Sequence, residues 1–247
     1  QGGDINAGGN VNANTRTSGA MDVYSVVAGA GMQLAAGGAL SANLLQSNSG
    51  MTLSSGDTLD VQQLISGDRL DVEAVGTLSI AEAAVTGDAS INGESEVVLG
   101  QATVGQTLTI NAATDLTATT LQVAGNSLLT SGADLSVTTF DGQGDLVANA
   151  GGDLSVGNGT VGGSATLSSV GTTTIDTLST HGTLDVTSGA ALAARVLSSE
   201  AAMLLSSGDT LDVQQLISGD NLDVEAVGKL SIAEAAVTGD ASINGES

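Results

Sequence analysis

The chain has 247 residues and a mass of 23.9 kDa, so small side chains dominate it: 35 residues are Gly, one is Phe, one is Tyr and none is Trp. A wide interior closed by bulky fillers is excluded, and 41% apolar residues is too many for a disordered tail. Twenty-seven acids against four bases (Arg16, Arg69, Arg195 and Lys229) give a formal charge of −23, a field that repels nucleic acid, sulfated glycans and anionic headgroups.

In chain order, the first twenty residues stand apart. Gly3-Asp4-Ile5-Asn6-Ala7 and Gly9-Asn10-Val11-Asn12-Ala13 repeat at six, which predicts a shortened or irregular coil over 1–20. The most apolar run, Val26 to Leu40, is broken by Gly29, Gly31, Gln33, Gly37 and Gly38, too short and too interrupted for a bilayer span. The segment therefore reads as soluble, with any export signal outside it. No Cys is present, so no disulfide or thiolate metal site can form.

From residue 21 onward a period of nineteen governs the chain. A column running Met21, Leu40, Leu59, Leu78, Val97, Leu116 and on to Leu230 is joined two places later by Val23, Ala42, Val61, Ile80, Leu99 and so on to Ile232. A second pair starts eleven residues further, at Met32, Met51, Leu70 and at Leu34, Leu53, Val72. Together the four columns are apolar at 46 of 48 positions, Ser127 and Thr173 being the exceptions, where composition alone would place about 20. The residue between the paired columns is mostly polar, as at Asp22, Ser41, Asp60 and Ser79. Apolar, polar, apolar at period two is strand alternation. A third apolar column, Val26, Leu45, Leu64 and onward, predicts a weaker third strand in each unit.

Corners fall before the second strand, at Asp68, Gly87, Gln106, Gly125, Gly144, Gly163 and Gly182, where glycine is expected to supply positive φ. Strands this short cannot bury their inner faces alone; stacked coils in which each column becomes a ladder can. The fold class expected is all-β, a parallel β-helix (solenoid) with 19 residues per coil and about three short strands per coil. With regular repeats over 21–247, the whole chain of 247 residues at 19 per coil would make about thirteen coils and a rod on the order of 60 Å at a strand spacing of roughly 4.8 Å.

Met51 to Ser95 recurs as Met203 to Ser247 with three differences in 45 positions: Thr52 becomes Leu204, Arg69 becomes Asn221 and Thr77 becomes Lys229. The offset of 152 is eight periods. The interior copy runs on into Glu96, Val97 and Val98, whereas no polar cap follows Ser247, so the segment is expected to belong to a longer chain that supplies caps.

The Gly-Asp-x-Leu-Asp-Val units at Gly56 to Val61 and Gly67 to Val72, the opening Gly-Gly-Asp-Ile-Asn-Ala at Gly2 to Ala7 and the sustained period resemble the filamentous haemagglutinin family and the related contact-dependent inhibition exoproteins. The resemblance covers essentially the whole chain. It implies a right-handed β-helical shaft of a large secreted Gram-negative exoprotein, exported through an outer-membrane transporter, held at the bacterial cell surface and working in adhesion to host cells. An Arg-Gly-Asp tripeptide is absent, and four scattered bases make no heparin surface, so the segment resembles shaft and not tip.

Candidate sites are few. Glu96, Asp115, Asp134 and Asp153 form an outward file on successive coils that calcium would bridge through carboxylate oxygens, although a solvated acidic stripe is the plainer reading. His181, the single histidine, sits at a corner with no nominated nucleophile beside it; Phe140 falls in the third inward column; Tyr24 faces outward. A polysaccharide lyase would need long loops around a cleft, which a constant period leaves no room for. Calcium-binding nonapeptide repeats and leucine-rich repeats both have the wrong spacing. No catalytic, cofactor-binding or metal residue is assigned, and the expected role is a non-enzymatic structural shaft, with a receptor- or glycan-binding surface on the shaft as the alternative.

Overall fold

A computed structural model describes residues 3–15 and 18–245. Gly2 of the opening motif, the base Arg16 and Ser247 at the end of the second copy lie outside the described residues. Among the described residues there are 26 strands and no helix, hence none long and apolar enough to cross a membrane. β1 (Asp4–Ala7) and β2 (Val11–Asn14) come first. From β3 (Met21–Ala28) and β4 (Met32–Ala36) onward an eight-residue strand alternates with a five-residue one as far as β25 (Leu230–Val237) and β26 (Ala241–Gly245). One long and one short strand make a coil, so these strands form about thirteen turns of a parallel β-solenoid.

The turns divide into two compact units, Gln1–Gly125 and Asn126–Ser247. In the first, the odd-numbered strands from β1 to β13 (Leu116–Val123) pair in order as one parallel sheet, and the even-numbered strands from β2 to β12 (Leu108–Ala112) as another. In the second, the strands from β14 (Ser127–Ser131) to β26 and from β15 (Leu135–Gly142) to β25 do the same. Like stacks on like: Met21 pairs with Leu40 and Met32 with Met51 in the first unit, Leu154 with Thr173 and Ala165 with Leu184 in the second, an offset of 19 each time.

The first coil is irregular by being longer than the rest, not shorter. Asp4 pairs with Ser25 and Val11 with Met32, an offset of 21, and Ser18, before β3, takes a φ of 68°. That is the one positive φ of a non-glycine residue among the described residues.

Each coil carries two strands where the columns suggest three. The third column is the second half of the long strand. In β5 (Leu40–Ser47) Leu40 and Ala42 point inward, Asn43 and Leu44 both stay outside, and Leu45 and Ser47 are buried again. The ladder skips the residue at this change of phase, passing from Val23–Ala42 to Ser25–Leu44. A strand that must keep its inner face on a narrow axis needs two successive outward residues to turn, so spacing of three between Val23 and Val26 marks a bend within one strand.

The glycine corners also have a different cause from the one expected. No described glycine has positive φ. What these positions require is room. A Cβ on Gly125 would lie 2.9 Å from the carbonyl carbon of Gln106 on the coil below, and one on Gly163 would lie 3.0 Å from that of Gly144. Corners of neighbouring coils are hydrogen-bonded too, as Met51 N–H to Arg69 O at 2.8 Å and Gly67 N–H to Ser47 O at 2.8 Å, and this draws their backbones together.

The core is a file of Leu, Ile, Val and Ala, each large member contributing roughly 1.5–3 kcal/mol by leaving water. The inward residue that closes each strand is often Ser, and it is not apolar filling. Ser66 Oγ lies 3.2 Å from Ser49 O and 3.1 Å from Arg69 O; Ser207 Oγ lies 2.7 Å from Ala190 O and 2.9 Å from Thr210 O. A buried hydroxyl thus lies between a corner carbonyl of its own coil and one of the coil before, and its single proton always has an acceptor, which spares the cost of burying it unpartnered.

Candidate functional site

The acidic file is built into the backbone. On the first unit, Leu78 N–H donates to Glu96 O and Val97 N–H to Asp115 O, each at 2.9 Å, so both residues sit in the corner ladder. On the second, the Asp134 carboxylate accepts Asp153 N–H at 2.8 Å, and the Asp153 carboxylate accepts Thr172 N–H at 2.7 Å. Asp134 and Asp153 each hold the corner of the following coil, as an N-cap side chain holds an exposed helix N–H. Among the described residues no group of three or more His, Cys, Asp or Glu is placed to hold a metal ion.

A parallel ladder runs along the other corner of the second unit. Asn126 Oδ1 accepts Asp145 N–H at 2.9 Å, Asp145 Oδ1 accepts Ser164 N–H at 2.8 Å, and Ser164 Oγ accepts Thr183 N–H at 3.2 Å. The second copy of the 45-residue repeat gains such a bond by its own substitution. Asn221 Oδ1 accepts Asp240 N–H at 3.0 Å, whereas Arg69 in the first copy pairs with Asp71 at 2.7 Å instead. Acceptor and glycine are coupled: a Cβ on Gly152, Gly163 or Gly171 would land on the carboxylate of Asp134, Asp145 or Asp153 respectively. Reading columns for hydropathy alone passes over this pattern. Its signal is an Asp, Asn or Ser with Gly eighteen residues later.

The remaining candidates fall as follows. His181 is exposed, its Nδ1 3.4 Å from Val161 O and its Nε2 3.9 Å from Glu200 Oε1. Phe140 is buried at 2% exposure, and its ring is accommodated by Gly142 beside it on β15; Gly159, its ladder partner one coil on, gives room to Leu178 instead. Tyr24 is 60% exposed.

Tyr24 lines a shallow groove of about 420 Å³ on the outer face of β3, β5 and β7 (Leu59–Ser66), together with Asp22, Ser41, Asn43, Asp60 and Gln62. These are the outward second residue and the bend residue of three consecutive long strands. The same two positions on β19 (Thr173–Thr180), β21 (Leu192–Ser199) and β23 (Leu211–Ser218) line a smaller groove of about 280 Å³ in the second unit. There Arg195 Nε donates to Asp176 and Nη2 to Thr177 Oγ1 at 2.5 Å, which holds the Asp176 carboxyl below the usual range and raises the guanidinium. Elsewhere on the second unit, partial burial beside Leu204 pushes the Asp185 carboxyl up.

No family model matches the chain, and neither a curated protein nor a solved structure matches it.

Proposed function

We propose that these coils are a structural shaft segment of a large secreted bacterial adhesin of the filamentous haemagglutinin type, holding binding regions of the parent chain away from the cell surface. The observation that carries this reading is register. Beyond the first coil, the strand pairs within either unit keep an offset of 19, as from Leu59 to Leu78 and from Leu192 to Leu211, so no inserted loop builds a cleft over the sheets. A surface whose inward columns are under tight packing constraint and whose outward columns vary freely suits a spacer better than an enzyme.

In this reading the chain passes an outer-membrane transporter unfolded, which the absence of Cys allows, and stacks coil on coil outside; contact with the host cell is left to other regions. Nucleic acid is not a partner, since the charge of −23 opposes it. The test is direct binding: fluorescently labelled chain added to host epithelial cells should show no saturable association. Saturable association would favour the second reading, a receptor- or glycan-binding surface on the coils themselves, for which the groove over Tyr24 is the natural place.

A further inference from the structure

The two grooves on the outer faces of the long strands occupy equivalent positions, and they differ in one respect that bears on what they hold. In the second unit the groove contains its own cation. Arg195, at the bend of β21, lies along the wall and places its guanidinium on Asp176 and Thr177. Arg195 and Asp176 stand in the column of Tyr24, Asn43 and Gln62, and Asp212 stands in the column of Asp22 and Asp60. A guanidinium therefore fits this contour and finds acceptors in it.

The groove of the first unit has the acceptors, and among the described residues no cation accompanies them. Asp22 makes no hydrogen bond or ion pair among the described residues, and Asp60 receives only a long bond of 3.4 Å from Gln62 Nε2. Both are exposed and stand two coils apart, about 10 Å at the spacing of parallel strands. Among the described residues no base lines this groove, and it is the larger of the two. Two residues along β3 from Asp22, the exposed ring of Tyr24 lines the same groove, and its face attracts a cation.

We propose that the groove over Asp22, Tyr24 and Asp60 binds the guanidinium or ammonium groups of a basic peptide segment, with the carboxylates as ion partners and the Tyr24 ring as the platform for one cation. The overall charge of −23 raises the local concentration of such a ligand and speeds its arrival. This site stands whether or not the coils act as a spacer.

The experiment uses the intrinsic probe that the sequence supplies: Tyr24 is the only tyrosine and there is no Trp, so fluorescence excited at tyrosine wavelengths reports on the groove. The intact chain is titrated at 0.15 M salt with a blocked Arg-Gly-Gly-Arg peptide, whose two arginines stand about 9 Å apart on one side in the polyproline II conformation, and with the same peptide carrying citrulline in place of arginine. The expected result is a saturable change with the arginine peptide and none with citrulline. Affinity should fall about tenfold in the Asp22→Asn, Asp60→Asn double variant, as two exposed ion pairs are lost, and stay unchanged in Asp212→Asn. All replaced side chains are exposed, so unfolding curves of the variants should superimpose on the parent. No fluorescence change at millimolar peptide, equal response to citrulline, equal weakening by Asp212→Asn, or a saturable response to a neutral oligosaccharide in place of the peptide would each overturn the assignment.

Discussion

Asp153 and Gly171 are a matched pair on neighbouring coils: the Asp153 carboxylate accepts the N–H of Thr172 at 2.7 Å, and a Cβ on Gly171 would occupy the place of that carboxylate. The acid and the glycine therefore solve one problem together, the satisfaction of a corner N–H at close backbone approach. Asp153→Ala should lower unfolding free energy by about 1 kcal/mol, within the range of lost caps, while Asp153→Asn keeps the acceptor, as Asn126 and Asn221 do, and costs less. Gly171→Ala should destabilise the parent more than it destabilises the Asp153→Ala background. Urea unfolding of the four variants measures the coupling.

Phe140 and Gly142 share one inward pocket, and the ring lies where a side chain at 142 would go. A Cβ there would meet Phe140 Cε1 at 2.5 Å and Cζ at 2.7 Å. Gly142→Val, which installs the residue found at the same inward position in Val123 and Val161, should cost about 2 kcal/mol or more by overpacking. Adding Phe140→Leu, the residue of Leu121 and Leu178, should recover most of that loss. Thermal unfolding of the single and double variants checks it.

Two buried hydroxyls make opposite predictions. Ser127 Oγ is buried without a hydrogen-bond partner in a column otherwise filled by leucine and its like, so Ser127→Ala should raise stability by about 1 kcal/mol. Ser188 Oγ lies 3.0 Å from Gly171 O and 2.8 Å from Ala191 O and accepts Thr173 N–H at 3.2 Å, so Ser188→Ala should lower it by about 1–3 kcal/mol. Chemical denaturation distinguishes the signs.

The period, the inward columns and the parallel stacking were legible because Leu59, Leu78 and Val97 occupy one place on the axis and have no other reason to recur at nineteen. What side chains do to backbone was not legible from hydropathy. Ser66 reads as a polar residue in a strand until the carbonyls of Ser49 and Arg69 are placed around it. Asp134 and Asp153 read as an outward acidic stripe, since which N–H lies over a carboxylate depends on the corner path. The bend at Tyr24 was present as a spacing of three between Val23 and Val26, yet a spacing does not say whether one strand turns or a second begins.

Acid pH should act on Asp185 and Asp176 with opposite sign. Burial raises the Asp185 carboxyl, so the folded chain holds that proton more readily than the unfolded one; the resulting stability is fully present below the unfolded pKa of about 3.9 and lost as pH rises through the folded value. Asp185→Asn should therefore stabilise at pH 7 and have little effect near pH 3. Asp176 is held low by its hydrogen bond to Arg195, so its contribution is present above the unfolded pKa and lost as pH falls through the folded value. Arg195→Ala should destabilise at pH 7 and progressively less as pH falls through the folded value. Urea midpoints across this range give both slopes.

Removal of one whole coil tests most directly that nineteen residues are the structural unit. Deleting residues 78–96 joins Thr77 to Val97 and would place Val97 above Leu59 in the same inward column, so circular dichroism should retain the β-sheet spectrum and a single cooperative melt within a few degrees of the parent. Deleting 78–86 alone throws every later column out of register and should abolish that melt. An unfolded one-coil deletion, or an equally stable nine-residue one, would contradict the account.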